Sequence, residues 1–496
     1  MTLIRFAEWA PDAADIGSSG AVTVTNALPS RDGYQPFKSL NIVSGALTAR
    51  PKGGIEAYNN SGTSFQYVGD VGKLYELDDT NLTWTNVSKA ATTYTTADTD
   101  YWDFARWENK IIATNFAEVP QQMTFGNANF TDLTTVFKAR CVGIVGDFVV
   151  FGNTYDAGDG NVPNRVRWSA QGNETDYTVS SSTLSDYRDL VTGGAIRKVL
   201  GGEVGIIISE RSIFRMSYIG APVVFQIDEV LPDVGTISQG SCCRLGDSVY
   251  LISDHGFVEL VGNGTGTNYI GAGKVDKYFF DDLDPDYYHR ISCLSDPTSN
   301  RIAWAYPGSG NTDGRPNKII IYDRTFGKWS IVEEDVEFLL RAKGIGVTLE
   351  ELDTFFGYTN IDTMTVSLDS DLFKADASQF AAFDEDFKLG FFRGLNKTAV
   401  LTTSEVEIHP GYNAQLNAFR PLVDRGTVTA RVGHRGRLSD EVTWTSSLTQ
   451  STSGRFTKRV NDRLHRFELT ITGDNWTDAL GVVVDPKDAP RGSGRA

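Results

Sequence analysis

Aromatic residues suited to closing a small sheet recur in this chain at a nearly constant spacing. From Trp84 to Phe130, Tyr177 and Phe225 the intervals are 46, 47 and 48 residues, and Trp329 lies 104 further on, close to two more periods. Such a period matches a four-stranded blade, which cannot bury its apolar face alone and must stack on its neighbours. The spacing predicts a β-propeller, with a pair of β-sandwiches as the alternative.

One unit is plainest over residues 275–338. An aromatic and acidic run from Tyr278 to Tyr288 precedes a strand-like segment at 290–294 and a turn from Asp296 to Asn300. Residues 301–306 alternate at period two, 308–316 are turn formers, 318–322 are β-branched and apolar, and Trp329 heads a last strand. The same layout begins at Ile55, Tyr101, Ala139, Val204 and Val249. About six blades are therefore expected.

The composition agrees. With 49 glycines and 11% aromatics, the chain favours short strands and tight turns over helices. We expect an all-β protein with an N-terminal arm at 1–50, a propeller at 51–395, a small β-sandwich-like domain at 396–484 and a flexible tail at 485–496. Residues 354–358 and 363–368 are candidate strands for closing the ring, either as a further blade or by pairing with residues 38–58.

The formal charge is 46 − 63 = −17. So acidic a surface repels phosphate and argues against wrapping or groove-reading of nucleic acid, but not against a passage to which DNA does not stick. Glu8 interrupts what a secretory signal would need, and no apolar run approaches about 18 residues. We expect synthesis in the cytoplasm without membrane insertion.

Catalytic patterns are weak. Cys141, Cys242, Cys243 and Cys293 match neither a disulfide framework nor a zinc pattern and read as reduced buried thiols, with Cys242 and Cys243 on opposite faces of one strand. His255, His289, His409, His434 and His465 are isolated in sequence, so no metal or cofactor is expected. Asp79 to Trp84 and Ser253 to Gly256 are imperfect versions of a sialidase-type turn box. Asp281, Asp282, Asp284 and Asp286 form an acidic channel or loop candidate. Between residues 431 and 466, Arg431, Arg435, Arg437, Arg455, Lys458, Arg459, Arg463 and Arg466 face only Asp440, Glu441 and Asp462. That stretch is either a strand edge guarded by charge or a face for docking on an acidic neighbouring copy.

Several segments resemble one known family. Asn26, Pro29, Gly33, Tyr34 and Pro36 open it; Val275 to Phe280, Tyr287 to Arg290, Trp304 to Pro307, Tyr322-Asp323 and Trp329-Ser330 continue it. Arg165 to Ala170 with Asp176-Tyr177, and Ser453 to Arg459 with Arg463 to Phe467 and Trp476, belong to the same set. Together they resemble the tail hub or nozzle (tail tubular) proteins of short-tailed, podovirus-type bacteriophages. The resemblance implies a non-enzymatic virion protein, a homohexameric ring below the portal and adaptor that extends the channel for DNA ejection. It implies as partners the adaptor ring, tail fibre, spike or needle proteins, and DNA passing without sequence-specific binding. Its place would be the virion tail, assembled in the host cytoplasm. A glycan-binding or glycan-hydrolysing propeller is the competing expectation.

Overall fold

The computed structural model describes residues 2–14, 20–90, 92–344, 360 and 378–487. Among the described residues, seven four-stranded antiparallel units follow one another along the chain. Blades 1 to 6 occupy residues 53–86, 103–132, 137–189, 196–232, 243–269 and 292–333, and each runs from an inner to an outer strand. The inner strands neighbour one another round an axis, with the seventh returning to the first. This is a seven-bladed β-propeller.

The second and third strands of a blade lie between two neighbouring blades, so both their faces are covered and their sequences read as unbroken apolar runs. Val204–Ser209, Ser248–Ser253 and Lys318–Asp323 are buried in this way along almost their whole length. The fourth strand of blade 3 is wet instead: all four residues of Asp186–Asp189 are exposed.

Seven blades replace the expected six because the last is assembled from both ends of the chain. Phe338–Lys343, Ser378–Phe383 and Lys388–Asn396 supply three strands, and Lys38–Ala46 supplies the outer one, with Gly390 opposite Ile42. A further blade and closure by an N-terminal strand are thus the same event. The candidate strands at 354–358 and 363–368 lie outside the described residues.

The N-terminal arm is also corrected, because its described segments are sheet strands. Thr2–Arg5 pairs with Ala479–Lys487, Ala21–Thr25 pairs with Ala399–Thr403, and the hairpin Ala27–Pro29 with Tyr34–Pro36 joins the same sheet as Ala479–Lys487. That last strand runs to Lys487, so residues 485–487 belong to it and not to a tail. In blade 3, Tyr177 is not in the closing strand. It packs inward on Phe137 with ring centroids 4.9 Å apart, while Gly160–Trp168 takes up part of the expected loop.

Beyond Asn396, two sheets face each other as a sandwich. One holds Ala414–Val423 between Ala479–Lys487 and Phe456–Asp462; the other holds Leu464–Thr472 between Ala399–Thr403 and Thr427–Arg435. Leu416, Phe419, Val428, Val432, Phe467 and Trp476 fill the space between them.

The sandwich is fastened to blade 6. Thr25 pairs with Ile331 in parallel, so the second sandwich sheet continues the sheet of blade 6. A single apolar core runs from Phe467 and Trp476 through Trp9 and Tyr34 to Trp329, Trp304 and Phe257. Among the described residues no helix is long and apolar enough to cross a membrane.

Candidate functional site

The propeller axis is the first place to look for a site, since the inner strands bring residues distant in sequence together there. Crowding is severe at its wall. A Cβ on Gly53, whose φ is +155°, would lie 2.0 Å from the Trp102 carbonyl oxygen, and one on Gly201 would lie 2.2 Å from that of Ile144.

A cavity of about 480 Å³ opens between the inner strands of six blades, with Glu56, Tyr101, Asp103, Lys198, Cys293 and Arg341 among its lining residues. A neighbouring cavity of about 610 Å³ shares Asp103 and Lys198 and adds Arg106 and Glu203. Lys198 Nζ lies 2.6 Å from Asp103, which also accepts the Val142 N–H at 3.1 Å. Burial presses the Lys198 pKa down, but the Asp103 charge and hydrogen bond outweigh it and hold the ammonium above its ordinary value. The axis is therefore balanced in charge and not acidic.

At one mouth, an ionic network ties blades 1, 2, 6 and 7. Asp98 lies 2.6 Å from Arg50, 3.5 Å from His289 and 3.8 Å from Lys52. Burial is the main force on Lys52 and brings its pKa down to about 8; burial also lowers that of His289. Glu337, nearly fully buried, takes Arg290 on one side and Arg315 at 2.9 Å on the other. Nothing in the sequence marks these residues, which lie far apart along the chain.

The acidic candidates do not line either axial cavity. Asp281 and Asp282 are on the short helix Asp276–Asp282, and Asp284 caps the 3-10 turn Pro285–Arg290 that contains Asp286, so the run is not a plain loop. Asp282 is held by Lys318 Nζ at 2.7 Å and by the Tyr306 hydroxyl at 2.9 Å, and Asp281 pairs with Lys277. Burial alone would raise Asp282, but Lys318 leads the contacts that bring it below the usual carboxylate range.

The basic stretch divides in two. Arg431 pairs with Glu468, Arg435 with Glu405 at 2.7 Å, Arg463 with Glu407 at 2.7 Å, and Arg466 lies 3.5 Å from Glu405. Those carboxylates fall outside the acids counted within the stretch. Lys458 and Arg459 lie on Phe456–Asp462, the last strand of its sheet, and Arg437 is exposed on a turn; Arg455 just precedes that edge strand. An edge carrying cations is protected against indiscriminate pairing.

The turn boxes are structural. Asp78 accepts the Thr80 N–H at 2.8 Å, and Ser253 Oγ accepts the His255 N–H at 3.1 Å. Two histidines, isolated in sequence, are not isolated in space: His434 and His465 are cross-strand partners. Among the described residues no group of three or more His, Cys, Asp or Glu is placed to hold a metal ion.

No family model matches the chain, and no curated protein matches it. Solved structures similar to it include the extracellular domain of BT4673 from B. thetaiotaomicron, at 12% identity and a TM-score of 0.40, covering 83% of this chain and 48% of that one. The chain thus spans about half the length of that domain. BamB from Moraxella catarrhalis matches at 12% identity and a TM-score of 0.37 over 75% of this chain and 95% of its own. YCF48 bound to D1 peptide matches at 10% identity and 0.36 over 62% and 89%.

Proposed function

We propose that this chain is a structural, non-enzymatic virion protein of a short-tailed bacteriophage, the subunit of a hexameric tail nozzle or hub ring. The observation that carries the reading is where the family-like segments fall. Tyr34, Val275, Phe279, Trp304, Tyr306, Trp329, Phe456, Phe467 and Trp476 come from most of those segments and share one core, the seam between blade 6 and the sandwich. A ring subunit that bears load between an adaptor above and tail proteins below needs its two domains fixed relative to each other. The −17 charge suits a wall past which duplex phosphates slide.

In this reading the DNA path is the lumen of the ring, because the axial cavities among the described residues, of about 480 and 610 Å³, are too small for a duplex. Lys458 and Arg459 on the sandwich edge are the docking cations, and an acidic face of the next copy receives them. The test is native mass spectrometry of the full chain, alone and mixed with a candidate adaptor ring. A six-membered ring is expected in at least one sample. A chain that stays monomeric with the adaptor and is retained on a glycan array would overturn the reading in favour of a carbohydrate-directed propeller.

The double substitution K458E/R459E is expected to weaken ring assembly by roughly tenfold or more and to leave the melting midpoint of the monomer nearly unchanged. Both quantities are read from light scattering and calorimetry on one preparation. Assembly equal to wild type would remove these cations from the contact.

A further inference from the structure

The thiols form an arrangement that neither the ring role nor the fold requires. Cys242 and Cys243 point to opposite faces of the inner strand region of blade 5. Cys242 packs in the core between blades 4 and 5, whereas Cys243 packs in the core shared by blades 5 and 6. Cys293 belongs to Ser292–Asp296, the inner strand of blade 6, and packs against that same core. Cys141 is in a separate cluster between blades 3 and 4.

Two bonds tie blades 5 and 6 together next to their inner strands. Ser295 Oγ donates to the Arg244 carbonyl at 2.8 Å, and Trp304 Nε1 donates to that of Ser241 at 3.0 Å. Between these anchors Cys243 and Cys293, one on each inner strand, both line the axial cavity of about 480 Å³. All four cysteines are free, and Cys293 is the one that is partly exposed.

We propose that Cys243 and Cys293 are an oxidation site, a thiol pair that closes into an inter-blade disulfide when a small disulfide oxidant enters the cavity. The thiolate of Cys293 attacks one sulfur of glutathione disulfide and expels a glutathione thiolate. Cys243, losing its proton to solvent, then attacks the Cys293 sulfur of the mixed disulfide and expels the second glutathione. Two protein thiols become one disulfide, and one glutathione disulfide becomes two glutathione thiols.

Neighbouring alternatives are disfavoured by placement. Cys242 and Cys243 lie on opposite strand faces, so a bond between them requires a strained vicinal ring. Cys141 faces another interface and donates to the Gly152 carbonyl at 3.4 Å. Burial, with the Cys243 thiol beside it, raises the Cys293 pKa, so the reaction is slow at neutral pH and quickens as pH rises.

The cross-link joins two blades through a closed loop of some fifty residues, long enough for an entropic gain in stability. The test incubates the purified full chain with glutathione disulfide, counts thiols in denaturant and maps peptides without reduction. Free thiols are expected to fall from four to two, with a single peptide joining Cys243 to Cys293 and a melting midpoint raised by a few degrees. C141S and C242S should still form the link, and C293S should not. Four persisting thiols, a stable glutathione adduct as the end product, or a Cys242–Cys243 bond would each overturn the proposal.

Discussion

Trp329→Ala is expected to destabilise the protein by about 3–5 kcal/mol, the range for removing a buried tryptophan. Its side chain is fully buried, with ring centroids 4.8 Å from Phe257, 4.8 Å from Tyr322 and 6.0 Å from Trp304. Its Nε1 donates to the Ile270 carbonyl at 3.2 Å, so truncation also strands an acceptor. The strand it sits on, Lys328–Glu333, is the one that Ala21–Thr25 joins. The damage should therefore reach the sandwich. A lowered urea midpoint and new proteolytic cleavage between propeller and sandwich are the expected signs; Trp84→Ala, at a half-buried position in blade 1, should do much less. A loss under 1 kcal/mol would mean the seam does not depend on this ring.

The second large effect is an acid lability centred on His465. Its ring is fully buried, and neither nitrogen has a hydrogen-bond partner. Burial pulls its pKa from 6.5 down to about 4, the Asp462 charge opposing and His434 across the strand pair adding to the fall. His434 in turn contacts Asp462. With the folded pKa below the unfolded one, the unfolded chain takes up the proton first. The associated stability is complete above pH 6.5 and drains away as the pH falls through 4. The shift corresponds to about 3 kcal/mol at the acid limit. Urea midpoints of wild type and His465→Leu, compared from pH 7 to 4, should diverge steadily as the pH falls, with the variant keeping more of its stability. Parallel curves would sink the assignment.

Blades 1 and 2 were legible almost strand by strand, because in each the four strands are consecutive and the turns between them are short. Blade 7 was not, since its outer strand comes from residues 38–46 and no local period reports a partner about 350 residues away. Ala414–Val423 and Phe456–Asp462 escaped for another reason. The first contains Arg420 and Pro421, and the second Lys458, Arg459 and Asp462, residues that read as loop although both segments are paired. The basic stretch was visible as composition, but Glu405, Glu407 and Glu468, which neutralise half of it, fall outside the window in which the charges stand out. The Lys198–Asp103 pair left no trace, its members being 95 residues apart.

The way both ends of the chain are woven into the fold governs how the protein is born. As it leaves the ribosome, blades 1 to 6 can form in order of synthesis, but blade 7 waits for residue 396 to meet the strand at 38–46. Thr2–Arg5 waits longer still, until Ala479–Lys487 has been made. The strands at 2–5 and 38–46 thus stay unpaired until partners several hundred residues later in the chain have been made. Completion of both the propeller and the sandwich therefore falls to the strands made late in the chain.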